Sequence, residues 1–414
     1  YEKVMNYYIT IPIFSDNFVH PYDDKNNLSL LYVKNLQDNK TEILTFDHLD
    51  ILKIDNYDFL KDATLLTLNR KYLLHIYPFK NVYDINLLNY YLYNKPLNFD
   101  DIRIPAIHFF NERFHDLEDV NRIIPIYKHL EYYDKVSEKI IEVWNNKDRV
   151  DWESYELYNN EAIFAFSSIE RNGIKAHNLP NNKFYSNYNL YTTTGRPSNS
   201  YNGVNFAALN REQRKHICSF NDFLVEYDYD GYHVRLIGKL IDYSFPEGSV
   251  HDFLSNLYGV TREEGKKITF KYLYGGIPLS IANKSEFFNK TKKYTEQLWD
   301  EFNKKGYIET PIYKRRLLRT NYSNINQYKL LNYLLQAYET EQNIKKIIKL
   351  QGYLYNRKTS LILYTYDSFL IDFSKDDNNK ILINIKNILE EGEFLTKIKI
   401  GYIYNKMVDI TEKM

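Results

Sequence analysis

Residues 261–276 read TREEGKKITFKYLYGG. Arg262, Lys266, Phe270 and Tyr274 recur there at intervals of four. At ~100° per residue, each step of four drifts by only ~40°, so a helix carries all four on one side and raises them ~6 Å per step. Two cations followed by two aromatic rings is the order in which such a face meets a nucleotide. Arginine and lysine take phosphates, and a ring stacks on sugar or base. An amphipathic helix with a solvated basic pair gives the same spacing, and the segment alone does not choose between the two. Gly275 and Gly276 close the pattern and let another element approach.

Two carboxylates stand where a phosphate-binding face would need them. Residues 223–238 read FLVEYDYDGYHVRLIG: a strand, a tight turn permitted by Gly231, and then helical spacing. Asp228 falls at the strand end. Residues 360–373 read SLILYTYDSFLIDF, two β-type runs flanking Tyr366-Asp367-Ser368, with Asp367 at the tip of a hairpin. If the hairpin neighbours the first strand, the two acids can share metal ions, and oxygen ligands suit magnesium. Taken singly, each is equally an ordinary turn aspartate. Residues 191–210, YTTTGRPSNSYNGVNFAALN, add a hydroxyl-rich loop able to meet phosphates, or simply a polar loop.

Composition sets outer bounds. The chain has 414 residues, 44% apolar and 26% charged, which permits a core of normal size and excludes disorder as the main state. Length suggests two to three domains. Lysine plus arginine and aspartate plus glutamate both total 54, so net charge names no partner. A single cysteine, Cys218, excludes an internal disulfide and a multi-cysteine zinc site. With no long apolar run and no leader-like start, the chain is expected to be soluble and intracellular, with no membrane partner. All 14 glycines lie at or after Gly173, which places a boundary near 170 and the chemistry beyond it.

These segments, in this order and spacing, resemble the DNA polymerase I family (family A). Thr194-Gly195-Arg196 with Ser198 and Asn205 is similar to the family's TGRLSS…PNLQN stretch. Asp228-Tyr229 and Arg235 resemble motif A, DYSQIELR. Arg262, Lys266, Phe270, Tyr274 and Gly275 match motif B, and Asp367 resembles the Asp of motif C, HDE. Smaller echoes are SIERNGI (168–174), VHDFLSNLYG (250–259), GYIET (306–310) with Lys314-Arg315-Arg316, and the N-x-x-x-Q helix with Asn332 and Gln336. The likeness covers residues 160–414.

The resemblance implies an α+β (mixed α/β) right-hand polymerase with palm, fingers and a reduced thumb, preceded by a small RNase H-like α/β domain. Residues 1–114 are expected to form a degenerate exonuclease-like domain, 115–190 a helical linker or reduced thumb, and 191–414 palm and fingers, the fingers at about 245–350. The implied activity is template-directed DNA synthesis from dNTPs on primer–template DNA. Asp228, Asp367 and the Tyr229 carbonyl would hold two Mg²⁺, for which Mn²⁺ can substitute. Arg262 and Lys266 would grip phosphates, Phe270 would stack on the nucleotide and Tyr274 would pack beside it. Thr194, Arg196, Asn332, Gln336, Tyr366 and Arg316 would contact DNA, and Lys314, Arg315, Arg316 and Arg319 would form a basic patch. A processivity factor or other replisome protein is a further expected partner. The compact size points to a viral or phage enzyme, working in the host cytoplasm.

Departures from the family mark what stays open. His233 replaces the acidic residue of motif A that excludes ribose, so either a His233–Tyr274 bond still blocks the sugar or ribonucleotides are admitted. Motif C reads Tyr366-Asp367-Ser368, Lys271 stands where the family has glycine, and about 18 residues separate Gly173 from Thr192, where a long thumb belongs. The strand ITIPIF carries no acid, so no proofreading is expected, and Asp116-Leu117-Glu118 reads as a solvated helix face. A single-subunit RNA polymerase and a non-catalytic polymerase-like accessory protein remain alternatives.

Overall fold

The computed structural model describes residues 6–17, 19–50, 54–102, 119–177, 183–201 and 204–414. The Asp116-Leu117-Glu118 segment lies outside them. The chain divides into two compact units, Tyr1–Ser167 and Ser168–Met414.

The first unit is built on five strands: β1 (Tyr7–Phe14), β2 (Leu28–Asn35), β3 (Thr41–Thr45), β4 (Thr64–Thr67) and β5 (Asn81–Asp84). Their order is β3-β2-β1-β4-β5. The first three pair antiparallel, whereas β4 and β5 run parallel to β1. Pro12 is tolerated in the central strand because β4 pairs only with Tyr7 to Ile9 and has ended before it. The β4–β5 crossover is helix α1 (Arg70–Ile76), and α2 (Ile85–Tyr93) follows β5. Asp84 closes β5 and caps α2, accepting hydrogen bonds from the Leu87 and Arg70 amides at 3.0 and 2.9 Å. The sheet buries Leu31, Val33, Leu65 and Val82 against Leu73 and Phe79. Two long helices complete the stretch, α3 (Ile126–Asn145) and α4 (Trp152–Asn172). Gly173 follows α4 at φ +67°, the left-handed position that ends a helix at least cost. Residues 115–190, expected as linker or thumb, are thus shared between the two units. Between Gly173 and Thr192 the described residues form short strands and no helix.

The second unit centres on an antiparallel sheet of β6 (Phe223–Tyr229), β7 (Ser360–Thr365), β8 (Ser368–Phe373), β9 (Thr396–Gly401) and β10 (Val408–Asp409), in the order β7-β8-β6-β9-β10. Side chains alternate along β6. One face carries Val225, Tyr227 and Tyr229, and the two phenols donate to the Leu382 and Leu389 carbonyls of α10 (Lys380–Glu390). The other face runs from apolar to acidic. Leu224 sits in a core with Ile362, Leu363 and Leu370, then comes buried Glu226, then Asp228 at the strand end.

Between β6 and β7 the chain forms mostly helices: α5 (Tyr232–Leu240), α6 (Val250–Tyr258), α7 (Arg262–Gly275), α8 (Glu286–Lys305) and α9 (Gln327–Leu354). TREE at the start of α7 is a complete capping box: Thr261 and Glu264 satisfy each other's backbone amides. The long α9 is buried along most of its length, Glu339, Glu341 and Asn343 included. Glu341 pairs with Arg315, whose Nε lies 3.2 Å from Oε1, and Arg315 also donates to the Thr194 carbonyl at 3.2 Å. Gly195 is required at this crossing, since a Cβ there would lie 1.9 Å from the Arg315 guanidinium.

The basic patch expected at 314–319 is therefore not one surface. Arg315 turns inward to neutralise Glu341, Arg316 pairs with Glu309, and Arg319 bonds Asn303. Among the described residues no helix is long and apolar enough to cross a membrane. Replacing Arg315 by Met leaves Glu341 charged and enclosed. Denaturant unfolding of Arg315→Met is expected to show a loss of about 3–5 kcal/mol; a loss below about 1 kcal/mol, the range of exposed pairs, would mean the pair holds nothing together.

Candidate active site

The β6–β8 pairing brings the two acids together. Asp228 faces Ser368 in register, and the Tyr229 amide donates to the Asp367 carbonyl at 3.0 Å. Positions 228 and 367 thereby become neighbours at one end of the sheet. Asp367 sits in a two-residue hairpin between Thr365 and Ser368. Its companion Tyr366 adopts φ +65°, a left-handed conformation costing a non-glycine residue about 1–2 kcal/mol. Two contacts hold it there. Asn343 of α9 donates to the Tyr366 carbonyl at 2.8 Å, and the Arg196 guanidinium lies 3.6 Å from the centre of the Tyr366 ring.

Both acids border a cleft of about 500 Å³. Its other wall is the face of α7 singled out by the four-residue spacing: Arg262, Lys266, Phe270 and Tyr274 all line it, as do Arg196, Tyr229 and His233. Phe270 and Tyr274 stack nearly parallel, with ring centres 5.8 Å apart. Lys266 is exposed and has no ion-pair partner among the described residues. Arg262 is engaged, its guanidinium 3.0 Å from both Asp230 and Asp252.

Electrostatics follow burial. Desolvation, then the nearby charges of Asp367 and Glu226, push Asp228 up to about 7. Burial, then Glu339, also raises Asp367, with Arg196 and His233 acting against it. Asp230 is held below its usual value, because hydrogen bonds from Lys397 and Ser249 outweigh its burial. Burial, with Lys266, Arg262 and Lys397 nearby, holds His251 down.

Thr194, Gln336 and Asn332 form a short chain beside the cleft. Thr194 donates to Gln336 at 3.2 Å, and Gln336 donates to Asn332 at 3.3 Å. Arg316 is placed elsewhere, on the Tyr307–Glu309/Arg316–Leu318 hairpin, against Tyr307 and Glu309.

Four residues of the site were not singled out from sequence. Lys397 and Lys399 alternate along β9 and share the face of Asp228, which Lys397 opposes in register. Their period of two, T-K-I-K-I, was the available signal. Lys397 pairs with Asp230 at 2.9 Å, and Lys399 with Glu226 at 3.1 Å. Glu226 also receives hydrogen bonds from Tyr404 and Ser368, at 2.8 and 3.3 Å. Glu339 lies three residues beyond Gln336 on α9, hence on nearly the same helix face. It is fully buried and holds Arg196 and His233 at 3.1 and 3.2 Å.

No protein-family model matches the chain, and no curated protein does. Among solved structures it is similar to the POL domain of Pol1 from M. smegmatis, in complex with DNA primer-template and dNTP. That likeness has a TM-score of 0.71 at 12% sequence identity and spans 97% of this chain and 96% of that one. The mixed α/β architecture of this chain is therefore the fold of a DNA polymerase POL domain.

Proposed function

We propose that the chain is a template-directed DNA polymerase that adds deoxynucleotides to a primer 3′-hydroxyl by two-metal-ion nucleotidyl transfer. One observation carries this reading. Two buried carboxylates from distant segments meet at the edge of a cleft, opposite a helix face of two cations and two aromatic rings. The similar POL domain was solved with primer-template and dNTP, the two partners such a cleft would take here.

The residues present fit divalent metal ions. Asp228, Asp367 and the Tyr229 carbonyl offer only oxygen, the donor set suited to Mg²⁺. Burial beside another carboxylate leaves Asp228 poorly ionised until a cation joins it. When bound, the ions supply a lowered pKa at the primer hydroxyl and neutralise charge on the departing pyrophosphate. The chain's own side chains do the rest. Lys266 and Arg262 bind the phosphates, Phe270 and Tyr274 present their stacked rings to sugar and base, and Arg196 lies on Tyr366 beside the primer end. Thr194, Gln336 and Asn332 continue that edge towards the duplex. The central strand of the first unit, YYITIPIF, supplies no carboxylate, so an exonuclease-like domain there would not proofread.

Primer extension on a DNA template with Mg²⁺ tests the reading. Wild type is expected to extend with dNTPs, and Asp367→Ala to fall to background. Lys266→Ala is expected to lose about 10–100-fold in kcat/KM for dNTP, the worth of a charge-assisted phosphate contact. Extension by rNTPs alone would favour the single-subunit RNA polymerase reading. Extension by neither, with nucleotide bound, would leave a non-catalytic accessory protein.

Asp228 also links metal to stability. Its folded-state pKa lies above its unfolded one, so its contribution to folding is progressively lost as pH rises from about 4 through about 7. Asp228→Asn is expected to melt a few degrees higher than wild type at pH 8 without metal. Mg²⁺ is expected to raise the wild-type Tm and leave the variant's nearly unchanged. Equal Mg²⁺ shifts in both would place the ion elsewhere.

A further inference from the structure

Behind the Tyr274 hydroxyl runs a line of polar groups that the two acids do not require. Tyr274 Oη is 2.6 Å from His233 Nδ1, and His233 Nε2 is 3.2 Å from Glu339 Oε2. Both Glu339 oxygens face the Arg196 guanidinium, at 3.1 and 3.3 Å. Tyr274 and His233 border the cleft next to Phe270, while Glu339 is fully buried behind them on α9.

The proton directions follow from the chemistry of the ends. A carboxylate held by a guanidinium only accepts hydrogen bonds, so His233 Nε2 carries a hydrogen. In the neutral ring Nδ1 is then the acceptor, and the Tyr274 hydroxyl donates to it. Glu339 thereby fixes the tautomer and ring orientation of His233 and, through it, the hydroxyl of Tyr274. Without that carboxylate the imidazole is free to rotate or change tautomer, and the phenol loses its fixed acceptor.

We infer that Glu339 is a positioning residue for sugar selection: acting through His233, it locks the Tyr274 hydroxyl into a rigid wall that favours the 2′-deoxy sugar of an incoming nucleotide over ribose. The inference rests on the polymerase reading above and deepens it. Glu339 acts across two hydrogen bonds. It supplies from α9 the acidic group that position 233 lacks.

The test uses the full chain on a primed DNA template, measuring kcat/KM for one dNTP and its matching rNTP. Glu339→Gln, which keeps the volume and removes the charge, is expected to lower the dNTP-over-rNTP ratio about tenfold, chiefly through a lower KM for the rNTP. Tyr274→Phe is expected to lower it similarly, and the double variant no further, because both interrupt one relay. Glu339→Asp is expected to recover part of the ratio. A ratio unchanged in Glu339→Gln, with both substrates losing activity alike, overturns the inference and leaves Glu339 a structural residue. If Glu339→Gln does not melt cooperatively, Tyr274→Phe decides: an unchanged ratio overturns the inference, and a lowered one supports it. A wild type that extends with neither nucleotide overturns the polymerase reading and this inference with it, an outcome distinct from an active wild type whose ratio the variants do not move.

Discussion

A polar group taken into the interior must find a partner there, and α9 takes in several. Glu339, Glu341 and Asn343 are all buried on this one helix. Each partner belongs to a different stretch of chain. Glu341 holds Arg315 and the amide of Ile312. Glu339 holds Arg196 and His233. Asn343 donates to the Tyr364 hydroxyl and the Tyr366 carbonyl, and accepts from the Tyr232 hydroxyl at 2.7 Å. Satisfying one helix thus gathers the glycine–arginine loop, the strand-end turn after Asp228 and the hairpin of Asp367 round a single axis. Leaving any of these groups without its partner costs more than the bond itself contributes, which makes the arrangement specific.

The sheet shows how an active cleft is fitted to a stable core. Along one face of β6, Leu224 contributes packing, Glu226 is neutralised by Lys399 and bonded by Tyr404 and Ser368, and only Asp228, at the open end, is left with a raised pKa. The destabilising charge is confined to the last residue of the face. Ser368 has no acid of its own, yet its hydroxyl lies 3.3 Å from the Glu226 carboxylate on the adjoining strand.

Much of this was legible because it is local. The spacing of Arg262, Lys266, Phe270 and Tyr274 is a property of helix pitch, so the shared face follows from sequence. The hairpin of Asp367 is likewise written in two apolar runs and a two-residue break. The missed features are those whose meaning lies in a distant partner. Arg315 looks like surface charge until Glu341 is set beside it. Glu339 looks like any helix glutamate, since its partners lie 106 and 143 residues away. Strand β5, NVYD, is too short to carry a pattern, and its place is fixed by pairing with β4. The 12% identity to a chain of the same fold has the same source: many side-chain sets satisfy one backbone arrangement.

The resting state of Arg262 has a consequence for what the cleft will accept. Its guanidinium is shared between Asp230 and Asp252, so a phosphate arriving there does not fill an empty seat but displaces a counter-ion. The exchange is easily reversible, because Asp230 keeps Lys397 at 2.9 Å and Ser249 at 2.8 Å once the arginine has left. Arg262 therefore works like the fixed charge of an ion-exchange resin. A lone phosphate displaces the carboxylates poorly, and a chain of phosphates that also reaches Lys266 displaces them well, so the cleft grades its ligands by the number of charges they carry.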